Sequence, residues 1–295
     1  IQVGNNYYAY STQSGSTHVQ LATSPDFQNW TLSPGYDALP MVANWSSGIV
    51  WAPDVVQLAN GKFIMYYAGQ SVQNSPNGNP SVCHCIGPAS SATPKGPFVP
   101  FGTPICNITS GGSIDPAGFQ DSDGRQYVVW KVDGNNVGNG GDCGNSVVPL
   151  VSTPIMLQEV DPSDGWTPLG QAVQILDRDA SDGPLVEAPS LTHVKDPSAV
   201  GGYLYVLFYS SHCYVGGQYD SKYATSVNGV RGPYVKASSP LLSTGTDGLY
   251  SPGGLDVGPG GVRVMFHADQ GTSYVTRLTR TGVINIDVAS RTVTI

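Results

Sequence analysis

The chain has 295 residues, 40% of them hydrophobic and only 12% charged, with a formal net charge of −8. That length supports a large core, and the acidic, charge-poor composition provides no Lys/Arg cluster for gripping nucleic acid or anionic lipid. No apolar run approaches transmembrane length, so no membrane partner is expected, and the surface is compatible with a neutral, hydroxyl-rich ligand.

The 37 Gly and 23 Pro interrupt the sequence too often for long amphipathic helices. Short strands rich in Tyr, Val and Phe recur instead, each bounded by turn residues. In chain order they begin with Tyr7–Tyr10, followed by a strand over His18–Ser24. Next come Val50–Val56 and Phe63–Tyr67, joined through an Asn60-Gly61 hairpin turn. Ser113–Phe119 and Tyr127–Trp130 repeat the arrangement across Asp121-Ser122-Asp123-Gly124. That acidic phrase fits a hairpin turn better than a calcium loop, because the later ligands of an EF-hand are missing. Val186–Leu191, Tyr205–Tyr209 and Tyr223–Ser226 form the next set, and Ser251–Asp256 with Val262–Phe266 the last. Lys95-Gly96-Pro97-Phe98 and Arg231-Gly232-Pro233-Tyr234 are recurring turn phrases. Repeats of roughly sixty residues with about four strands each predict an all-β, five-bladed β-propeller. Residues 1–295 read as a single catalytic propeller domain, with the N-terminal part of blade 1 expected ahead of Ile1.

The five cysteines are Cys83, Cys85, Cys106, Cys143 and Cys213. With few lysines they suit an oxidising compartment and a secreted, extracellular protein, and their odd number leaves one outside any intrachain disulfide. Cys83-His84-Cys85 reads as a disulfide-bearing loop rather than a metal site, since no second ligand pair stands at the right spacing. Sequons at Asn29, Asn44 and Asn107 make a glycoprotein the matching expectation.

Candidate chemistry starts with Glu187. It lies among Pro184, Leu185, Val186, Ala188, Pro189 and Leu191, a setting that desolvates a carboxylate. Asp54 and Asp115 also stand beside a proline in the segment that opens a repeat. In a propeller these opening segments are the innermost strands, so the three acids are expected to converge. Crowded carboxylates repel one another and raise at least one pKa, which is costly as scaffolding and useful as chemistry. Glycoside hydrolysis needs such a set: one protonated acid for the leaving oxygen and one carboxylate for water or the sugar. Glu187 suits the proton donor and Asp115 the group that tunes it. Trp51 is a candidate platform under a sugar ring, and Asp54 beside it a candidate substrate-binding carboxylate. Asp177-Arg178-Asp179 reads as a solvated loop.

Taken together, the motifs resemble glycoside hydrolase family 43. They are Val50-Trp51-Ala52-Pro53-Asp54, Ile114-Asp115-Pro116 with Phe119-Gln120-Asp121-Ser122-Asp123-Gly124 and Tyr127, and Glu187-Ala188-Pro189, in that order. The resemblance covers essentially the whole chain. It implies inverting hydrolysis of arabinose- or xylose-containing plant cell-wall polysaccharides by a monomer that requires no cofactor. An α-L-arabinofuranosidase or arabinanase is favoured over a β-xylosidase, a non-catalytic sugar-binding propeller or a retaining fructan-type enzyme. It implies Glu187 as general acid and Asp115 as pKa modulator. It also implies His267 beside a structural calcium or similar ion on the propeller axis. An arginine of the last blade has Arg277 as its candidate. The general base implied by the resemblance is an Asp in an Asp-Pro phrase just before the first strand, expected upstream of Ile1. Specificity is expected from the loops 134–147 and 211–219.

Overall fold

The computed structural model describes residues 1–73, 83–258 and 260–295, with the backbone alone at 273–275. Its regular structure is β, punctuated by short 3-10 turns. The first sheet runs β1 (Gln2–Val3), β2 (Asn6–Ser11), β3 (Gln20–Ser24) and β4 (Thr31–Leu32) in that order. Its first strand, β1, is only two residues long. The second sheet follows the same order: β5 (Ser46–Gln57), β6 (Phe63–Ser71), β7 (His84–Ser91) and β8 (Val99–Pro100). β9 (Ser113–Gln120) and β10 (Gln126–Val132) pair antiparallel in the third, as do β11 (Ile155–Val160) and β12 (Val173–Leu176). The fourth comprises β13 (Val186–Lys195), β14 (Tyr203–Ser211), β15 (Asp220–Ser226) and β16 (Val235–Lys236). β17 (Gly253–Val257), β18 (Arg263–Gln270) and β19 (Ser273–Val283) form the fifth, before a hairpin of β20 (Asn285–Asp287) and β21 (Thr292–Thr294). Five successive meanders of this kind are the blades of a five-bladed β-propeller, as the repeat predicts.

The chain divides into two compact units. The first holds residues 1–133 and 158–172. Val19, Leu39, Val50, Val55, Met65, Tyr67 and Phe98 are among its buried core residues. The returning segment is bound in by Tyr66 Oη donating to Gly165 O at 2.7 Å, Asn60 Nδ2 to Ser163 O at 2.8 Å and Trp166 Nε1 to Thr103 O at 3.0 Å. The second unit holds residues 134–157 and 173–295, with a core that includes Leu204, Val206, Phe208, Leu242, Leu255, Val264 and Phe266.

One backbone device recurs in the strands that open the second, third and fourth sheets. Ala52-Pro53 lies opposite Tyr67, Asp115-Pro116 opposite Trp130 and Ala188-Pro189 opposite Tyr209, two residues against one. These are β-bulges, where a proline costs no ladder bond because the pairing is already interrupted. The first residue of each bulge has positive φ: 42° at Ala52, 52° at Asp115 and 49° at Ala188. Such a conformation costs on the order of 1–3 kcal/mol and persists where the surroundings over-determine it. Here each bulge faces a fully buried aromatic ring. Ser251-Pro252, just before β17, repeats the positive φ at 48°.

Candidate active site

The bulge sets the register of the three acids, and it corrects their expected equivalence. Glu187 is the residue before the bulge and corresponds to Trp51 and Ile114. Asp115 is the first bulged residue and corresponds to Ala52 and Ala188. Asp54 follows the bulge and corresponds to Ala117 and Ser190. A side chain's direction changes at each step around a bulge, so one bend presents its acid at three different offsets.

The position after the bulge laces neighbouring opening strands together. Asp54 Oδ2 accepts a 2.7 Å hydrogen bond from the Gly118 N–H of β9. Ser190 Oγ donates to Asp256 Oδ1 at 2.8 Å and accepts from the Val257 N–H at 3.1 Å. One oxygen of Asp54, expected to bind substrate, is therefore engaged by the scaffold. Gly118 is glycine because a Cβ there would stand 2.6 Å from Val56 and 2.7 Å from Tyr66.

Trp51 is 39% exposed, a large apolar surface for a residue in a strand. Its ring stacks on His84, 3.7 Å between centroids and 24° from parallel. His84 is buried, and burial pushes its pKa down to about 4, so the imidazole beneath the indole is neutral at working pH. Its Nε2 has no hydrogen-bond partner among the described residues. The indole is thus partly exposed while its ring is stacked on a buried partner. In the neighbouring cysteine motif, Cys85 forms a disulfide with Cys106, while Cys83 Sγ lies 3.7 Å from Ile108 O and joins neither disulfide of the described residues. The motif bears a disulfide as expected, but His84 and Cys85 lie in strand β7 rather than in a loop. Asp121-Ser122-Asp123-Gly124 is a hairpin turn, closed by Asp121 N–H to Arg125 O at 2.9 Å and Gly124 N–H to Asp121 O at 3.0 Å.

In the second unit Glu187 is half-buried between the buried Val186 and Pro189. Its Oε1 accepts a 2.6 Å hydrogen bond from Tyr219 Oη. His267 stacks almost parallel on the Tyr219 ring, at 10° and 5.9 Å. Burial, helped by the charge of Arg277, pushes His267 down to about 4 against the opposing pull of Glu187. Its Nδ1 is buried and has no hydrogen-bond partner among the described residues. A hard cation takes six or more oxygen ligands in typical sites, and a neutral imidazole alone does not make one. Among the described residues no group of three or more His, Cys, Asp or Glu side chains could hold a metal ion. Arg277 lies with its guanidinium 4.9 Å over the Tyr214 ring and its Nε 3.8 Å from Asp269 Oδ1.

The strand carrying Glu187 is anchored by groups that sequence reasoning missed. Asn145 is fully buried; its Nδ2 donates to Pro184 O at 2.7 Å and Val151 O at 2.9 Å, and its Oδ1 accepts from Val151 N–H at 2.8 Å. Val186 N–H donates to Thr153 Oγ1 at 3.1 Å. Asp182, also fully buried, pairs with Lys222 Nζ at 3.1 Å and with Lys236. Asp179 caps the adjoining 3-10 turn, and its hydrogen bonds from Ser181 and the charge of Lys236 hold its carboxyl well below the usual range. Asp177-Arg178-Asp179 is a partly exposed loop whose side chains are also hydrogen-bonded into the scaffold. The loops 134–147 and 211–219 are tied together by the Cys143–Cys213 disulfide. A strand lysine or a loop asparagine that closes on a distant carbonyl leaves no local pattern, and the aspartate's two lysines stand 40 and 54 residues away.

The order of sheets and the bulged opening strands define a class, the five-bladed β-propellers. The chain matches the model of glycosyl hydrolases family 43 over residues 1–286 and belongs to that family. It is 27% identical over 162 residues to an extracellular endo-α-(1→5)-L-arabinanase of Thermotoga petrophila, covering 44% of this chain and 32% of that protein. It is 33% identical over 141 residues to a putative β-xylosidase of Escherichia coli, covering 43% and 23%. The chain spans about a third or less of the length of the curated relatives it matches. Among solved structures, a thermostable family-43 glycoside hydrolase superposes with a TM-score of 0.77 at 23% identity, over all of this chain and 90% of the other. A family-43 endo-arabinanase from Bacillus licheniformis gives 0.73 at 22% identity, over 100% and 95%. No helix among the described residues is long and apolar enough to cross a membrane.

Proposed function

We propose that this protein is a secreted, inverting glycoside hydrolase acting on arabinose-containing plant polysaccharides, as an arabinanase or α-L-arabinofuranosidase. Glu187 gives its proton to the leaving glycosidic oxygen, and Asp115 sets the pKa at which it can. The observation that carries the reading is the Glu187 carboxyl, half-buried and held by a phenol in a family-43 chain. The Trp51 face stacked on His84 supplies a sugar platform. The arabinanases of Thermotoga petrophila and Bacillus subtilis among the relatives favour arabinan. The E. coli relative makes β-xylosidase the second reading. Two disulfides among the described residues fit export to an oxidising compartment.

Glu187→Gln decides the chemistry. Loss of a general acid is typically worth roughly 10²–10⁴-fold. The loss should be large on linear arabinan and small on an aryl arabinoside with an acidic phenol, which leaves without protonation. Equal losses on both would refute the donor role. Asp115→Asn should move the basic limb of the pH profile down, because removing a negative charge eases ionisation of the acid. A panel of arabinan, aryl arabinosides and aryl xylosides separates the two substrate readings.

A further inference from the structure

Tyr219 precedes β15 directly and belongs to no repeat motif. Its ring is nonetheless fixed on three sides. On one, Gly253 opens the space it occupies: a Cβ there would lie 1.9 Å from Tyr219 Cε1. On the second, the neutral His267 ring lies nearly parallel to it. On the third, its hydroxyl donates to Glu187 Oε1 at 2.6 Å, within the range of charge-assisted O–H···O bonds. Tyr219 is 3% exposed, so water does not compete for this bond. The loop leading to it is held as well. Cys213 is disulfide-bonded to Cys143, and Gly217 O accepts from Thr244 Oγ1 at 2.6 Å.

A carboxylic acid has two oxygens, and an acid catalyst must carry its proton on the one that faces the leaving group. A phenol donating to one oxygen makes that oxygen the acceptor. We propose that Tyr219 is a positioning residue for Glu187: its hydroxyl occupies Oε1 and so assigns the transferable proton to Oε2. This rests on the reading of Glu187 as proton donor. After transfer, the same bond stabilises the carboxylate that remains, since a donor to the charged form favours it. Gly253 belongs to the device, because a side chain at that position would drive the phenol from its seat.

The test is a ¹³C titration of the Glu187 carboxyl in the full chain, its resonance identified by its absence in Glu187→Gln. Removing the donor in Tyr219→Phe should raise the midpoint by about one pH unit, with the basic limb of kcat/KM moving the same way. The fall should be in kcat rather than KM, and greater on arabinan than on an aryl glycoside with an acidic leaving group. Fluorotyrosine at position 219 keeps the ring in place and makes it a stronger donor, so the midpoint should move down. A midpoint unmoved by both replacements overturns the inference, as does a shift of the same sign in both. If Tyr219→Phe does not fold, the fluorotyrosine titration decides alone. Glu187→Gln with full activity on arabinan would instead sink the donor reading itself. A Glu187→Gln loss beside unmoved titrations sinks the Tyr219 role and leaves the donor reading standing.

Discussion

Asp182 is a fully buried carboxylate held by two ammonium groups, Lys222 and Lys236, and by the Asp179 N–H at 3.0 Å. Removing one partner of a buried charge set strands the others, at about 3–5 kcal/mol. Asp182→Ala should lower stability by that order, read as a fall in the denaturant midpoint. Replacement by Asn should cost less, because it keeps the shape and one acceptor. Asp182 carries no local signal in the sequence, because its partners are brought to it by the fold. Glu187 was legible because its desolvating neighbours are adjacent in sequence. Asp115 was legible from its proline. Tyr219 was not, since the signals that place it, Gly253 and His267, are separated from it by 34 and 48 residues and mean nothing until the sheets are assembled.

Among the elements, aromatic and β-branched runs marked the strands well, and Gly with a preceding Asn or Asp marked the hairpins. The bulges were half visible. Proline in a strand announces an interruption, but which neighbour carries the positive φ depends on the ring opposite. That is why three acids beside prolines looked equivalent and are one to three residues out of step. The cysteine pairing was likewise closed to sequence, although the odd count was informative. The Cys143–Cys213 bond spans 70 residues and joins the two loops expected to set specificity. Disulfides of this sort typically contribute about 2–4 kcal/mol. Cys213→Ser should lower the thermal midpoint accordingly and raise KM on polysaccharide more than on a small aryl glycoside. An unchanged KM ratio between the two substrates would separate the loops from polymer binding.

For the molecule as a whole, acid is the expected weakness. His84 and His267 both titrate near 4 when folded, against an ordinary value of 6.5. Between those values the unfolded chain binds protons that the folded one refuses, so stability rises with pH there. It should be fully present above 6.5, fall as pH drops toward 4, and level once the folded histidines protonate. For His84, which is 4% exposed, the loss reaches roughly 3 kcal/mol. A series of thermal midpoints from pH 4 to 8 checks this, and His84→Phe, which keeps a ring under Trp51 and cannot titrate, should flatten the curve.

The division of the first unit reaches beyond equilibrium, to the order in which the chain is made. Residues 1–133 are synthesised first, yet the end of β11 from residue 158 and the turns through Ala172 belong with them. Until that segment leaves the ribosome, Tyr66 and Trp166 lack the bonds that close the unit. At 5–20 residues per second the wait is about 2–8 s, longer than a hairpin needs to form. A nascent chain halted at residue 133 should therefore be cut readily by protease, and one released past residue 172 should resist.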